Sequence, residues 1–152
     1  MSRRTLSSAV AILVAATAIG CSDGPTSPTV LVGNYRLANI DLVELPTPEA
    51  CAVGLTVLNG HLVLDSHAGV TLAQTDFDEL TGWNLTYSGA GTWSQQGSQL
   101  LLDLTERWSD DPTVYHRKLT LDVDHGELLM HGLGAPCDGN STAHYQFVDA
   151  AR

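Results

Sequence analysis

Six histidines are the residues of this sequence with the most versatile chemistry, because imidazole binds metals and titrates near neutral pH. They are His61, His67, His116, His125, His131 and His144. His131, His144 and Asp138 bracket Cys137, which suggests a metal site at one rim of the fold. No His-x-His or His-x-x-x-His pair supports it, and zinc usually takes four ligands. We therefore expect neutral histidines in turns or hydrogen-bonded on polar strand faces, with no metal and no cofactor.

Catalytic motifs are missing from the sequence. It contains neither the Gly-x-Ser-x-Gly elbow of hydrolases nor a glycine-rich phosphate loop. The stretch from Asp122 to Gly126 begins like a calcium loop but lacks the later ligands and the closing glutamate. No nucleophile, base and orienting group stand together, so we do not expect an enzyme.

Aromatic side chains are the remaining candidates for a binding site. Seven are candidates for a cavity lining: Tyr35, Trp83, Tyr87, Trp93, Trp108, Tyr115 and Tyr145. Five of them are predicted to contact a ligand, namely Tyr35, Trp83, Tyr87, Trp93 and Tyr145. Inward aromatic residues also fill barrels without any ligand, so two interpretations stay open: a lined cavity or a solid core.

The N-terminal region has the features of a secretory signal. Arg3 and Arg4 form a positive start, residues 6–19 form a short apolar run, and Gly20 precedes Cys21. The apolar run is too short to span a bilayer, which takes about 20 residues. The paired arginines also match the start of a twin-arginine signal, so general secretion and twin-arginine export both remain open.

The order Ala18-Ile19-Gly20-Cys21 resembles the lipobox of bacterial lipoproteins. The resemblance implies cleavage before Cys21, a diacylglyceryl group on its sulfur and acylation, for example by palmitate, of the new amino terminus. Multiple acyl chains make a stable membrane anchor. Ser22 follows the cysteine where an aspartate is tied to inner-membrane retention, which indicates the outer membrane, facing the periplasm. The expected organisation is a signal peptide (1–20), a lipidated cysteine with a flexible tether (21–29) and a folded domain (30–152).

The folded domain is acidic and carries two cysteines. Removing residues 1–20 takes away two of the seven basic residues and none of the seventeen acidic ones, which leaves a net charge of −12. Such a surface repels nucleic acid and anionic lipid, and favours cations or basic partners, although it also serves solubility alone. Export exposes Cys51 and Cys137 to an oxidising compartment, which predicts a disulfide between them, with free thiols as the alternative.

Period-two alternation runs through the domain and predicts an all-β fold. Leu100, Leu102 and Leu104 share one face, and the stretch 118–123 alternates without a break. Turn signals at 58–60, 65–69, 95–98, 109–112 and 124–126 separate short strands. Glu106-Arg107 and Arg117-Lys118 are charges in strand context, for which we expect cross-strand pairing.

The predicted strands form an antiparallel up-and-down meander of eight or nine members that closes into a barrel. They span 30–43, 53–58, 61–65, 69–76, 83–95, 98–107, 113–123, 127–132 and 143–149. In such a barrel the last strand pairs with the first. A bond from Cys51 to Cys137 would then staple the seam, since these residues follow the first strand and precede the last.

The opening strand, Gly33-Asn34-Tyr35-Arg36-Leu37, and the repeated pattern of strand, glycine turn and strand resemble small lipocalin-like domains of bacterial lipoproteins. The resemblance covers residues 30–148 and implies a compact β-barrel without transferable catalytic residues. It favours a membrane-anchored binding protein of the cell envelope, with a small apolar molecule in the barrel. The alternative is an interaction or inhibitor module with a solid core, which binds an envelope protein through its acidic surface or rim loops.

Overall fold

Alternating polar and apolar residues form ten β-strands in the computed structural model of this protein, which describes residues 30, 32–48, 54–132 and 141–150. The strands are β1 (Gly33–Ile40), β2 (Val43–Glu44), β3 (Thr47–Pro48), β4 (Leu55–Leu64), β5 (Gly69–Asp78), β6 (Trp83–Gln96), β7 (Gln99–Trp108), β8 (Tyr115–Asp124), β9 (Glu127–His131) and β10 (Thr142–Asp149). Within these ranges there is no helix long and apolar enough to cross a membrane.

The strands close into an antiparallel barrel of eight members plus two short extra strands, which confirms the predicted fold class. Each of β4 to β9 pairs with the next strand along the chain, and β1 pairs with both β10 and β4. The seam between first and last strand runs from Asn34 opposite Asp149 to Ile40 opposite Ala143. The two short strands are additional to the ring: β2 pairs with β1, and β3 pairs with β4.

The predicted turn at 58–60 is wrong, because two predicted strands are one continuous β4 with an irregularity between Val57 and Asn59. Gly60 lies inside the barrel wall there. A Cβ atom at this position would come within 3.0 Å of the Leu37 side chain, so glycine lets Leu37 pack across the wall. Asn-Gly is a strong turn signal, and here tertiary packing overrides it.

Connections of different length divide the barrel into two ends. At the tight-turn end the strands are joined by residues 65–68, 97–98 and 125–126, as the turn signals predict. At the loop end they are joined by residues 41–54, 79–82, 109–114 and 132–141. Cys51 falls between β3 and β4 in sequence and Cys137 between β9 and β10, but both lie outside the described residues, as does Cys21, so the predicted disulfide and lipidation stay predictions.

Apolar side chains fill the half of the barrel nearest the tight turns. The fully enclosed members include Leu62, Leu64, Leu100, Leu102, Leu121 and Leu128. Val30 is also buried, and its N–H donates to Gln95 Oε1 at 3.2 Å, so the chain enters the domain at this end. Apolar surface removed from water contributes about 25 cal/mol per Å² to the free energy of unfolding, so this half is the main source of the barrel's stability.

Candidate functional site

The inward faces of β5, β7 and β8 change from apolar to polar as they approach the loop end, whereas β1, β4, β9 and β10 keep apolar core residues there. On β7, which runs toward the loop end, the inward positions are Leu100, Leu102, Leu104 and then Glu106. On β8, which runs away from the loop end, Arg117 comes first and Leu119 is the next inward position. On β5 they read Val70, Leu72, Gln74 and Asp76. Strand alternation carries these polar side chains into the interior, where they form the interior polar cluster. Its members are Gln74, Asp76, Tyr87, Glu106 and Arg117.

Glu106 and Arg117 form an ion pair inside the barrel wall. The Arg117 Nε lies 3.2 Å from Glu106 Oε2, and only 3 % of the Glu106 side chain is exposed, against 31 % for Arg117. Gly89 makes room for the carboxylate, since a Cβ there would lie 3.1 Å from Glu106 Cγ. The predicted cross-strand pairing is thus confirmed for these residues, and for Lys118 with Asp103 on the outer face at 3.6 Å.

Asp76 is a second acid in the interior and has no exposed surface. The Gln74 amide donates to both of its carboxylate oxygens, at 2.9 and 3.2 Å. Burial raises the pKa of Asp76 because it disfavours the charged form, and the hydrogen bonds from Gln74 offset only part of this effect. The interior polar cluster therefore contains two carboxyl groups and one guanidinium group.

Tyr87 connects the buried acid to the loop end of the barrel. Its ring centroid lies 5.1 Å from that of Trp108, and the Arg117 Cζ lies 5.9 Å from the Tyr87 centroid. Burial, and then the neighbouring Glu106 carboxylate, raise the pKa of the Tyr87 hydroxyl. The Glu106 carboxylate acts on Tyr87 through a hydrogen bond with its hydroxyl, so these two buried groups are partners of one another.

An open groove of about 310 Å³, the rim groove, lies at the loop end. Its lining residues are Leu55, Leu85, Trp108, Asp110, Asp111 and Tyr115. Three of them stand next to members of the interior polar cluster on the same inward strand faces: Leu85 beside Tyr87, Trp108 beside Glu106, and Tyr115 beside Arg117. The rim groove and the interior polar cluster are therefore built on the same three strands, β6, β7 and β8.

One wall of the rim groove is fixed by hydrogen bonds around Asp111. Its Oδ1 accepts from the Thr113 N–H at 2.8 Å, and its Oδ2 accepts from the Tyr115 hydroxyl at 2.8 Å. Hydrogen bonds from Thr113 and then Tyr115 hold the pKa of Asp111 below its ordinary value. The carboxylate is therefore ionised at neutral pH.

The five aromatic residues predicted to bind a ligand do not share one environment. Tyr35 and Tyr145 are almost completely buried in the core, and Trp93 packs against it while its Nε1 donates to the Asp65 carbonyl at 3.1 Å. Trp83 is 72 % exposed at the loop end. Only Tyr87 belongs to the interior polar cluster, with Tyr145 close enough for Asp76 and Arg117 to influence its pKa, which burial raises.

The histidines lie on strand faces and in turns. His131 contacts Thr142 Oγ1 at 3.0 Å and Asp122 Oδ2 at 3.1 Å, and His116 contacts Thr105 Oγ1 at 3.3 Å. His144 Nδ1 lies 3.7 Å from Glu127 Oε2. Among the described residues, no three His, Cys, Asp or Glu side chains are grouped closely enough to hold a metal ion. Asp138 and Cys137 lie outside those residues.

Exposed apolar side chains lie at the loop end, on three connections and at the start of β6. Leu42, Leu80, Trp83 and Val114 are each about half exposed or more. The acidic residues Asp41, Glu79 and Asp110 stand on the same connections, and the described parts of these connections contain no Lys or Arg. The loop end therefore presents an apolar and acidic surface.

The sequence did contain a signal for the interior polar cluster. When the inward register set by Leu100, Leu102 and Leu104 is extended by one step, it reaches Glu106. The same extension from Leu72 reaches Gln74 and then Asp76. A charged residue in register with buried leucines indicates a buried polar group, and such groups are uncommon unless paired or functional.

Comparison with known proteins identifies no relative: no protein-family model, no curated protein and no solved structure matches this chain.

Proposed function

We propose that this protein is a lipid-anchored lipoprotein of the cell envelope whose lipocalin-like barrel binds a small molecule at its loop end. The observation that supports binding is the change in the interior, from packed leucines to a polar cluster on strands that also line an open groove. A barrel that served only as a solid support would need no buried acids, which lower stability unless compensated. A pocket with apolar walls and a few convergent polar groups is the usual form of a small-molecule site.

The proposed anchor suits this position of the site. The chain enters the domain beside Val30 at the tight-turn end, whereas the rim groove lies at the opposite end. The tether of residues 22–29 reaches about 30 Å at most, taking ~3.3–3.6 Å per residue. A lipidated Cys21 would therefore hold the tight-turn end and leave the rim groove accessible.

The proposed binding is tested by native mass spectrometry of the full chain, expressed with its own N-terminal region and released from membranes in non-ionic detergent. We expect a reproducible additional mass that disappears on denaturation, and that is lost or reduced with Trp108→Ala, which removes a groove wall. The control is Trp83→Ala, which removes an exposed tryptophan outside the groove. A chain that never carries additional mass would contradict small-molecule binding.

The proposed anchor is tested by the Cys21→Ala variant. Wild-type protein is expected in the membrane fraction and to incorporate labelled palmitate, and Cys21→Ala is expected to lose both properties. Ser22→Ala keeps the cysteine and serves as the control. Palmitate incorporation by Cys21→Ala would exclude Cys21 as the lipidated residue.

The second candidate function is an interaction module, and the exposed apolar residues of the loop end favour it. A partner with a basic and apolar surface would complement Leu80, Trp83 and Val114 and their acidic neighbours. The double variant Leu80→Ser/Trp83→Ser would abolish such binding. Val148→Ser, which changes an exposed residue on the last strand, would preserve it. Equal binding by both variants would rule out the loop end as the interface.

A further inference from the structure

The turn that joins β1 to β2 holds two residues in an uncommon backbone conformation. Asp41 has a φ of 51° and Leu42 a φ of 66°, and the flanking residues Ile40 and Val43 pair directly across the hairpin. A two-residue hairpin turn with positive φ at both positions is usually Asn-Gly or Asp-Gly, because glycine takes positive φ without steric cost. Leucine is therefore a strained residue at the second position of this turn.

The side chain of Leu42 returns little of that strain to the fold. It is 79 % exposed, and the next residue, Val43, is 54 % exposed. An apolar side chain stabilises a fold by leaving water, and Leu42 leaves most of its surface in water. Strained residues that the core does not require concentrate at functional sites. Leu42 is therefore explained better by a contact outside this chain than by the packing of the barrel.

Two hydrogen bonds fix the turn to the last strand. The Asp41 N–H donates to the Thr142 carbonyl at 2.8 Å, and Asp41 Oδ1 accepts from the Thr142 N–H at 2.6 Å. A segment that is already held in place loses little conformational freedom when a partner binds it. Residues 41–44, here named the β1–β2 tip, therefore present Leu42 and Val43 in a fixed position at the loop end.

The charge of the β1–β2 tip indicates the kind of partner that fits it. Exposed Asp41 and Glu44 flank the two apolar residues, and the described part of this connection contains no Lys or Arg. Complementary charges across an interface favour the correct partner, and like charges exclude the wrong one. A second copy of this chain, with a formal net charge of −10, would be repelled, and so would anionic lipid. The complementary surface is apolar with a basic border.

We propose that the β1–β2 tip inserts Leu42 and Val43 into an apolar pocket of a partner protein, with Lys or Arg side chains at the pocket edge beside Asp41 and Glu44. This inference rests on the interaction module given as the second candidate function. It adds the segment that makes the contact and the chemistry of the surface that receives it. It does not depend on a ligand in the rim groove.

Photo-crosslinking of the full chain tests the proposal, with benzoylphenylalanine in place of Val43 as the probe. The chain is expressed with its own N-terminal region in the cells that naturally contain it, and isolated membranes are irradiated. We expect an adduct with one protein, which does not form when the probe replaces the exposed Val148 on the last strand. NaCl at about 0.5 M is expected to weaken the adduct, because salt screens exposed charges.

Leu42→Gly separates binding from folding. Glycine relieves the strained φ, so the thermal unfolding midpoint is expected to rise by about 2 °C. The same variant is expected to reduce the adduct from position 43 about tenfold, because it removes the central apolar contact. A leucine with a purely structural role would lower both readouts together. Val148→Ser is the matched control and is expected to leave the adduct and the midpoint unchanged.

The remaining outcomes separate the β1–β2 tip from the interaction module on which it rests. The absence of an adduct from position 43, or an adduct with lipid or with a second copy of the chain, would overturn the proposal. An adduct that Leu42→Gly leaves unchanged would also overturn it. If Leu80→Ser/Trp83→Ser removes that adduct, the interaction module stays supported with a different contact surface.

Discussion

The two halves of the barrel interior are built from the same strands, but three of these strands change their chemistry from one half to the other. Near the tight turns the inward residues are leucines and valines that exclude water. Near the loop end the inward faces of β5, β7 and β8 bring in Asp76, Glu106 and Arg117. The apolar half stabilises the ring, whereas enclosing charged groups lowers stability unless they are paired. Binding sites commonly trade stability for such groups.

The largest expected effect is in the apolar half. Leu121→Ala removes a fully enclosed side chain and is expected to lower the free energy of unfolding by about 3 kcal/mol, because it leaves a cavity. Urea denaturation measures the loss. Thr120→Val, at the neighbouring outward position, is expected to change stability by about 0.5 kcal/mol or less. Similar losses in both variants would mean that the apolar half is not the main source of stability.

A smaller loss is expected when the ion pair of the polar half is broken. Arg117→Met leaves the enclosed Glu106 carboxylate without a counter-charge and is expected to cost about 2 kcal/mol, discounted because Arg117 is partly exposed. Adding Glu106→Gln is expected to restore at least half of that loss. The matched control is Lys118→Met, which breaks the exposed pair with Asp103 and is expected to cost about 0.5 kcal/mol or less. If the double variant Arg117→Met/Glu106→Gln were as unstable as Arg117→Met, the unpaired Glu106 charge would not be the cause of the loss.

Asp76→Asn is expected to act in the opposite direction and to stabilise the fold by about 1 kcal/mol at pH 7, because an enclosed acid is replaced by a neutral amide. The folded-state pKa of Asp76 is raised. The stability that the protonated Asp76 contributes is therefore fully present below the unfolded pKa of 3.8 and is lost as pH rises through the folded pKa. The stability that Asp76→Asn gains over wild type should therefore grow as pH rises from 3.8 through the folded-state pKa, and it should vanish below pH 3.8. Thermal unfolding between pH 3 and pH 7 measures it.

Asp78 provides a control with the opposite sign on the same strand. Its carboxylate accepts from the Thr81 hydroxyl at 2.7 Å and from the Leu80 N–H at 2.8 Å, which lower its pKa. The stability that the ionised Asp78 contributes is present above pH 3.8 and is lost as pH falls through the lowered folded-state pKa. Asp78→Asn should therefore destabilise the fold at neutral pH and converge with wild type in acid. Parallel pH profiles for the Asp76 and Asp78 variants would contradict the contrast between them.

The smallest effect is expected at the surface of the loop end. Trp83→Ser replaces a mostly exposed ring and is expected to change the free energy of unfolding by about 0.5 kcal/mol or less. Chemical denaturation measures the change. A loss above about 2 kcal/mol would show that the ring packs more closely than its exposure indicates.

Sequence patterns predicted the ring better than they predicted the site. Alternation around Leu100 and Leu121 gave the strands, and the pairing of the first strand with the last followed from their order. The merging of two predicted strands at Gly60 depends on the packing of Leu37, which local turn signals do not contain. Glu106 and Arg117 were predicted to pair across strands, but their enclosure depends on which face closes inward, and the rim groove depends on connections that alternation does not describe.

The seam between β1 and β10 has a consequence for how the chain is made. Most neighbouring strands of the ring are joined by short hairpins, but Asn34 and Asp149, which bond across the seam, are 115 residues apart in sequence. A ribosome therefore delivers β1 long before its second partner exists. Until β10 emerges, one edge of β1 stays unpaired and open to wrong partners, and contacts of such long range slow folding. Closure of the ring thus waits for β10, and a holding chaperone would be of most use before that strand is available.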